Sequence, residues 1–329
     1  MKKTNLKRKL PSVLRWILWV LLVQFILFNI SAAFYAYKLS HFYDDPSVAT
    51  PPTGENIFSK TWRLFSGPKL AKSPVTEFPH FAYDTVTLET DNGIFIDGWY
   101  AKADSAAKGT VLLFHGLTMN KGSVSSEADE FHSQGYNVMM VDFRAHGKSG
   151  GNTTTIGVRE AQEVKLAYDY VSKLGEKRII LWGTSLGAVT ISKAIADFNL
   201  NPSGVILEMP FASLQDHLKA RARMIGFSGF PEKPFGFFVT AWIGIERGFN
   251  GFKHKTTTYV QKIKCPVLLE WGALDVYVMK SETDKIFAAI AAPQKKLVIY
   301  DHANHESFLQ NDPLKWRIEV GRFLNDVVK

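Results

Sequence analysis

Three rhythms of apolar and polar residues follow one another along the chain. From Trp16 to Tyr37 the sequence carries no formal charge, and only Gln24, Asn29 and Ser31 interrupt its apolar run. At about 1.5 Å per residue, a helix of this length crosses a bilayer. Residues 84–90 and 94–100 then alternate apolar and polar positions on either side of Asp91-Asn92-Gly93, which predicts a β-hairpin. From Thr110 onward the alternation gives way to short apolar runs at 111–114, 138–141, 179–182, 205–207, 267–271 and 297–300, unbroken except for Glu270. Strands buried on both faces read this way. Stretches of helical character separate the runs, at 123–134, 158–174, 188–198 and 281–292, and another closes the chain at 313–328. The expected class is therefore α/β: a mostly parallel, doubly wound sheet with an N-terminal antiparallel hairpin, preceded by one transmembrane helix.

Two segments depart from these rhythms. Residues 38–81 are rich in Pro and Ser and read as a linker, with a short helix expected near 57–64. Residues 211–262 break the strand–helix alternation and carry Phe227, Phe230, Phe235, Phe237, Phe238, Trp242, Phe249 and Phe252 among Gly and Pro. An insertion of this length in a compact domain is usually functional, and a helical cap over the strand ends is expected. The domain plan is a basic leader at 1–15, an anchor at 16–37, the linker at 38–81, and one domain at 82–329 with its cap at 211–262.

Charge changes the picture once it is located. The net charge of +8 suggests nucleic acid, but Lys2, Lys3, Lys7, Arg8, Lys9, Arg15 and Lys38 all precede the first acidic residue, and basic and acidic side chains nearly balance beyond them. Basicity confined to the leader excludes a nucleic-acid partner. It places the N-terminus on the cytoplasmic side and the remainder across the membrane, in the periplasm or outside the cell. Trp16, Trp19, Tyr35 and Tyr37 sit where interfacial aromatics belong. Cleavage at Ser31-Ala32-Ala33 is the competing reading, in which the segment is a signal peptide and the rest is secreted. The single cysteine, Cys265, excludes an intrachain disulfide framework and a Cys-based zinc site. Asn152-Thr153-Thr154 matches a glycosylation sequon, which has meaning only in a eukaryotic secretory pathway.

The candidate chemistry begins where one buried run ends. Ile179 to Trp182 leads into Gly183-Thr184-Ser185-Leu186-Gly187, and a helix-prone segment starts at Ala188. Strand, G-x-S-x-G and helix in succession are the context of a nucleophile elbow, with small residues where two backbones approach closely. Gly147-Lys148-Ser149-Gly150-Gly151 fits the same pattern, but no strand runs into it and Asn152 to Thr155 is a poor helix start. Nor is it a phosphate loop, since Asp142 stands where that motif needs its first glycine. A serine nucleophile needs a base and a group to orient that base. Sites in such sheets form beyond the carboxyl ends of strands, where Asp275 follows 267–271 and His305 follows 297–300. The order Ser, Asp, His is that of the α/β-hydrolase fold. His302 also follows the last strand, and Glu208 ends another, so each is an alternative. His302-x-x-His305 lacks a nameable third metal ligand, and no metal or cofactor is expected.

His115-Gly116 after the first buried run and Asp142-Phe143-Arg144-Ala145-His146-Gly147-Lys148-Ser149 after the next complete the set of landmarks. With the elbow, Asp275 and His305, the chain from about Thr85 to Lys329 resembles the α/β-hydrolase family, in its group of serine aminopeptidases and monoacylglycerol lipases. Ala145 departs from the pattern, which usually has Gly there. The resemblance favours His305 over His302 because an acidic residue, a small polar one and an apolar helix start follow it. It makes Ser185 the nucleophile, His305 the base and Asp275 its orienting acid, and puts the oxyanion between the backbone N–H groups of Leu186 and Leu117. His115 then shapes the oxyanion loop. The expected activity is hydrolysis of an ester with an apolar or lipid-like acyl group. Peptidase or thioesterase action with the same triad is the runner-up, and a catalytically silent, membrane-tethered binding module is the reading from another class. Most cap aromatics are expected to fill the cap's own core, and a few to face the substrate.

Overall fold

A computed structural model describes residues 11–49, 65–224 and 232–328, together with Phe58 and Trp62. The helix expected near 57–64 therefore lies largely outside the described residues. The first helix among the described residues is α1 (Ser12–Leu39), which extends past both ends of the uncharged run. Two short parallel strands follow, β1 (Phe42–Tyr43) and β2 (Leu70–Ala71), within the segment read as linker.

The main sheet has eight strands. β3 (Asp84–Glu89) and β4 (Phe95–Ala101) form the antiparallel hairpin, and β4 also runs antiparallel to β6 (Asn137–Val141). β5 (Thr110–Phe114), β6, β7 (Ile179–Thr184), β8 (Gly204–Glu208), β9 (Val267–Gly272) and β10 (Lys295–Tyr300) are parallel. Their spatial order is β10-β9-β8-β7-β5-β6-β4-β3. The unbroken apolar runs are explained by burial of both faces. Leu112, Phe114, Leu181, Val205, Leu207 and Leu269 face one core, while Val111, Leu113, Ile180, Trp182, Ile206 and Leu268 face the other.

Helices cover both faces. α2 (Ser125–Ser133), α3 (Ala161–Lys173) and α4 (Leu186–Phe198) connect the central strands. α5 (Leu214–Met224), α6 (Glu232–Arg247) and the short α7 (Thr256–Tyr259) make up the insertion between β8 and β9. α8 (Lys280–Ala289), α9 (Phe308–Asn311) and α10 (Pro313–Val328) complete the domain.

α1 has two halves with different environments. Trp16 is 72% exposed and Phe25 53%, whereas Ala32, Tyr35, Ala36 and Leu39 are buried in the domain core. The apolar stretch has a mean hydropathy of 2.2, and only 6% of it is buried, as suits a membrane-crossing helix or a signal sequence. Its inner half docks on the cap. Tyr35 meets Phe235 edge-on at 4.8 Å between ring centroids, and Phe238 meets Phe25 at 5.6 Å and Phe28 at 5.4 Å. Arg247 Nε donates to Ser40 Oγ at 2.8 Å, and Lys38 Nζ to Ser66 Oγ at 2.7 Å.

The loop after β6 is built around a buried ion cluster. Asp142 Oδ1 accepts the backbone N–H of Lys121 at 2.6 Å, and Oδ2 accepts Lys121 Nζ at 2.6 Å and the Lys148 N–H at 2.8 Å. Lys121 Nζ is fully buried, 2.5 Å from Asp97 Oδ1 and 4.7 Å from the centre of the Trp99 ring. Ser149 belongs to this scaffold, donating to the Asp142 carbonyl at 2.7 Å and accepting the Asp97 N–H at 2.9 Å. Ala145, where the hydrolase pattern has Gly, adopts φ 62°, the left-handed conformation that glycine tolerates at no steric cost. The sequon side chain is also engaged, since Asn152 Nδ2 donates to Phe42 O at 3.0 Å. Lys121→Met leaves Asp142 buried without its cation, and is expected to lower stability by about 3–5 kcal/mol. Urea denaturation of the variant checks this.

Candidate active site

The elbow forms as the glycines require. Ser185 sits between β7 and α4 with φ 51° and ψ −110°, a strained conformation for a residue with a side chain. Its N–H donates to Glu208 O at 2.8 Å and its carbonyl accepts the Val189 N–H at 3.2 Å, so both flanking elements hold the turn. A Cβ at Gly187 would lie 2.1 Å from Phe114 O, and one at Gly183 would lie 2.7 Å from Gly187 C. Gly187→Ala must push β5 and α4 apart, and a loss of about 3 kcal/mol or more is expected, read as a lower thermal midpoint.

Two more strand ends supply the partners. His305, after β10, has Nε2 3.0 Å from Ser185 Oγ and Nδ1 2.7 Å from Asp275 Oδ2. Asp275, after β9, is held from the other side, because Oδ1 accepts the N–H groups of Tyr277 at 2.7 Å and Val278 at 2.8 Å. The carboxylate can only accept, so His305 Nδ1 carries the proton and Nε2 is left to accept from the serine. The Asp275 side chain is fully buried, while that of His305 is 20% exposed. The ring of Tyr277 lies 5.0 Å from that of His305.

The alternative residues are placed elsewhere. His302 is exposed. Glu208 Oε1 accepts the indole N–H groups of Trp182 at 3.0 Å and Trp316 at 2.9 Å. Burial, with Glu270 as a buried neighbour, raises its carboxyl well above the usual range. His115 is buried, with Nδ1 donating to Gly116 O at 2.8 Å and Nε2 accepting the Phe143 N–H at 3.1 Å. Desolvation holds it far below its usual pKa, so it is a neutral brace for the loop that follows. In that loop Thr118 has φ 66°, and the Met119 N–H donates to Gly116 O at 3.2 Å. Leu186 is the first residue of α4, where helix N–H groups lack intrahelical acceptors.

Ser185 and His305 open into a cavity of about 280 Å³. Leu117, Met119, Met209, Phe211 and Val278 form apolar wall, and the cap contributes His217 and Arg221. The periodicity of α5 could have pointed to these two polar residues, since Leu214, His217, Leu218 and Arg221 share one helical face. The expectation for the cap aromatics needs correction. Among them Phe235, Phe238 and Trp242 pack toward α1, and the sole insertion aromatic on the described cavity wall is Phe211, at the insertion's start. An apolar helix lying alongside offers them more contact than a small cavity does. Phe227 and Phe230 lie outside the described residues.

Sheet order, elbow and strand-end loops together define an α/β-hydrolase fold. The family model for serine aminopeptidase S33 matches residues 105–233. Uncharacterized protein YqkD of Bacillus subtilis is 27% identical over 239 residues, covering 71% of this chain and 77% of that protein. Lysophosphatidylserine lipase ABHD12 of Xenopus tropicalis is 26% identical over 210 residues, 61% of this chain but only 52% of the lipase. The solved esterase Pf2001 of Pyrococcus furiosus superposes with a TM-score of 0.63 at 26% identity, covering 78% of this chain and 97% of that one. In sequence and in fold the chain is thus similar to the α/β-hydrolase family, in its S33 serine-aminopeptidase-like group.

Proposed function

We propose that this serine hydrolase of esterase and lipase type cleaves carboxylic esters of apolar, lipid-like acyl groups through Ser185, His305 and Asp275. The observation that carries the reading is the continuous hydrogen-bond chain from Ser185 Oγ through both ring nitrogens of His305 to Asp275. Ser185 Oγ attacks the acyl carbonyl while His305 Nε2 takes its proton. Asp275 holds the tautomer and stabilises the imidazolium. The tetrahedral oxyanion rests on the backbone N–H groups of Leu186 and Leu117, each such donor being worth about 10²–10³ in kcat. Collapse breaks the C–O bond, the alcohol leaves with the proton from His305, and water releases the acid by the same steps in reverse.

The apolar wall of the cavity supports an apolar acyl group. So does the similarity to a lysophosphatidylserine lipase and to an esterase. α1 is then a retained anchor, with the leader cytoplasmic and the catalytic domain, residues 82–329, on the far side of the membrane. Cleavage at Ser31-Ala32-Ala33 would remove Ala32, which is buried in the domain, and Phe25 and Phe28, which pack on Phe238 of the cap. The test uses the full chain in detergent micelles with p-nitrophenyl esters from acetate to palmitate and a serine-reactive fluorophosphonate probe. Labelling together with hydrolysis, rising to an optimum at medium or long chains, is expected. Labelling with no ester turned over would shift the bond to an amide or thioester. Neither labelling nor turnover would leave a binding module.

A further inference from the structure

The cap brings a cation without a partner among the described residues into the cavity that holds Ser185. α5 carries Arg221 and Arg223 in its last turn. Arg223 is committed, pairing with Glu232 at 2.6 Å and donating to Tyr277 O at 3.1 Å. Arg221 makes no ion pair or hydrogen bond among the described residues, its Nε is buried, and it lines the cavity that holds Ser185 and His305. One turn earlier His217 lines the same cavity. It is 8% exposed, and its Nε2 has no hydrogen-bond partner among the described residues. Arg221, His217 and His305 line this one cavity together.

A buried guanidinium nitrogen and a buried imidazole nitrogen without partners each carry a desolvation cost. An anionic group on a ligand would satisfy both. The carboxyl groups on the same wall do not fill that role. Glu208 is held by two indoles, Glu127 accepts from Ser307 Oγ at 2.5 Å, and Glu306 accepts from Asn304 N and from Asn311 Nδ2. Burial raises the carboxyl groups of Glu208 and Glu127, which weakens any repulsion of an incoming anion. Desolvation keeps His217 neutral, leaving Arg221 as the permanent positive charge on the described wall.

We propose that Arg221, with His217 beside it, is the anion-recognition element of the cavity, so that the preferred ester carries a carboxylate or phosphate group near its scissile bond. The proposal rests on the hydrolase reading above, and names the substrate class of that site.

The full chain in neutral detergent should be assayed on two matched pairs. Mono-p-nitrophenyl succinate against p-nitrophenyl butyrate puts a carboxylate on the acyl side. 1-Oleoylglycerol 3-phosphate against 1-oleoylglycerol puts a phosphate on the alcohol side. Wild type should favour the anionic member of one pair in kcat/KM. Arg221→Met should lower that preference by about 10–100-fold, the range of a hydrogen bond to a charged group, chiefly through KM. Arg221→Lys should recover part of it. The pair that responds identifies the source of the anion. Wild type alone gives a second reading, since octyl phosphate should inhibit at least about tenfold more strongly than octanol, with the charged hydrogen bond as the reason. Active enzyme that prefers the neutral member of both pairs, or a preference that Arg221→Met leaves unchanged, overturns the proposal. Absence of turnover and of fluorophosphonate labelling would instead remove the hydrolase reading, and this inference with it.

Discussion

Ser185→Ala is expected to lower kcat by about 10⁶-fold and to abolish fluorophosphonate labelling, the largest effect any single side chain here should produce. His305→Ala should cost about as much in kcat, because a serine hydroxyl without a base is a poor nucleophile at neutral pH. The double variant should lose scarcely more than either single one, since the two groups act as a unit. Asp275→Asn should cost less, about 10⁴-fold. Its amide can turn an N–H toward His305 Nδ1, favouring the tautomer that leaves Nε2 protonated and unable to accept from Ser185. Steady-state kinetics on a single p-nitrophenyl ester, with circular dichroism to confirm folding, checks all four. Retained activity in Ser185→Ala would move the nucleophile elsewhere, and Ser149, locked into the Asp142 scaffold, could not replace it.

The second large effect concerns the anchor. A fragment beginning at residue 41 removes the apolar N-terminal helix, and also strips Ala32, Tyr35, Ala36 and Leu39 from the domain core. Burial of these side chains is worth about 5 kcal/mol or more in total. The fragment also loses the Lys38 and Ser40 hydrogen bonds to Ser66 and Arg247. A drop in thermal midpoint on the order of 10 °C or more is expected relative to the full chain in the same detergent. A fragment beginning at residue 28 retains the docked turns and should lose far less. Equal midpoints for the two fragments would show that α1 and the cap are independent. The cap is where the difference should be felt, because α6 rests on α1 through Phe235 and Phe238, and α5 packs beside α6. A loosened α5 would misplace Arg221 and His217, so the shorter fragment should also show a raised KM.

The candidates Ser185, Asp275 and His305 were legible in the sequence for a specific reason. Each member stands just beyond an apolar run that can only be a buried strand, and in a parallel sheet those ends converge on one edge. The elbow glycines were legible because close backbone approach leaves no room for a side chain, as Phe114 O shows at Gly187. The choice of His305 over His302, and of Asp275 over Glu208, was less local. It rested on the resemblance and on the residues that follow His305, whereas the two indoles that bind Glu208, from Trp182 and Trp316 in distant parts of the chain, became visible only in the fold.

By itself, then, the sequence determined the strand–helix alternation, the hairpin at its edge, the apolar N-terminal helix and the candidates Ser185, His305 and Asp275. These follow from periodicity and from short-range steric demands, which a linear chain records directly. Tertiary structure alone decided how the inserted cap is used. An aromatic residue at a given spacing packs equally well on its own helix, on a cavity or on a neighbouring helix, and only the position of α1 directs Phe235 and Phe238 toward the anchor. The buried Lys121, paired with Asp142 from a separate loop, was hidden for the same reason. So was Arg221, which among the described residues lacks the kind of partner that its neighbour Arg223 has in Glu232. Pairing between residues distant in sequence costs chain entropy and leaves no periodic trace, so it becomes visible only once the chain has folded.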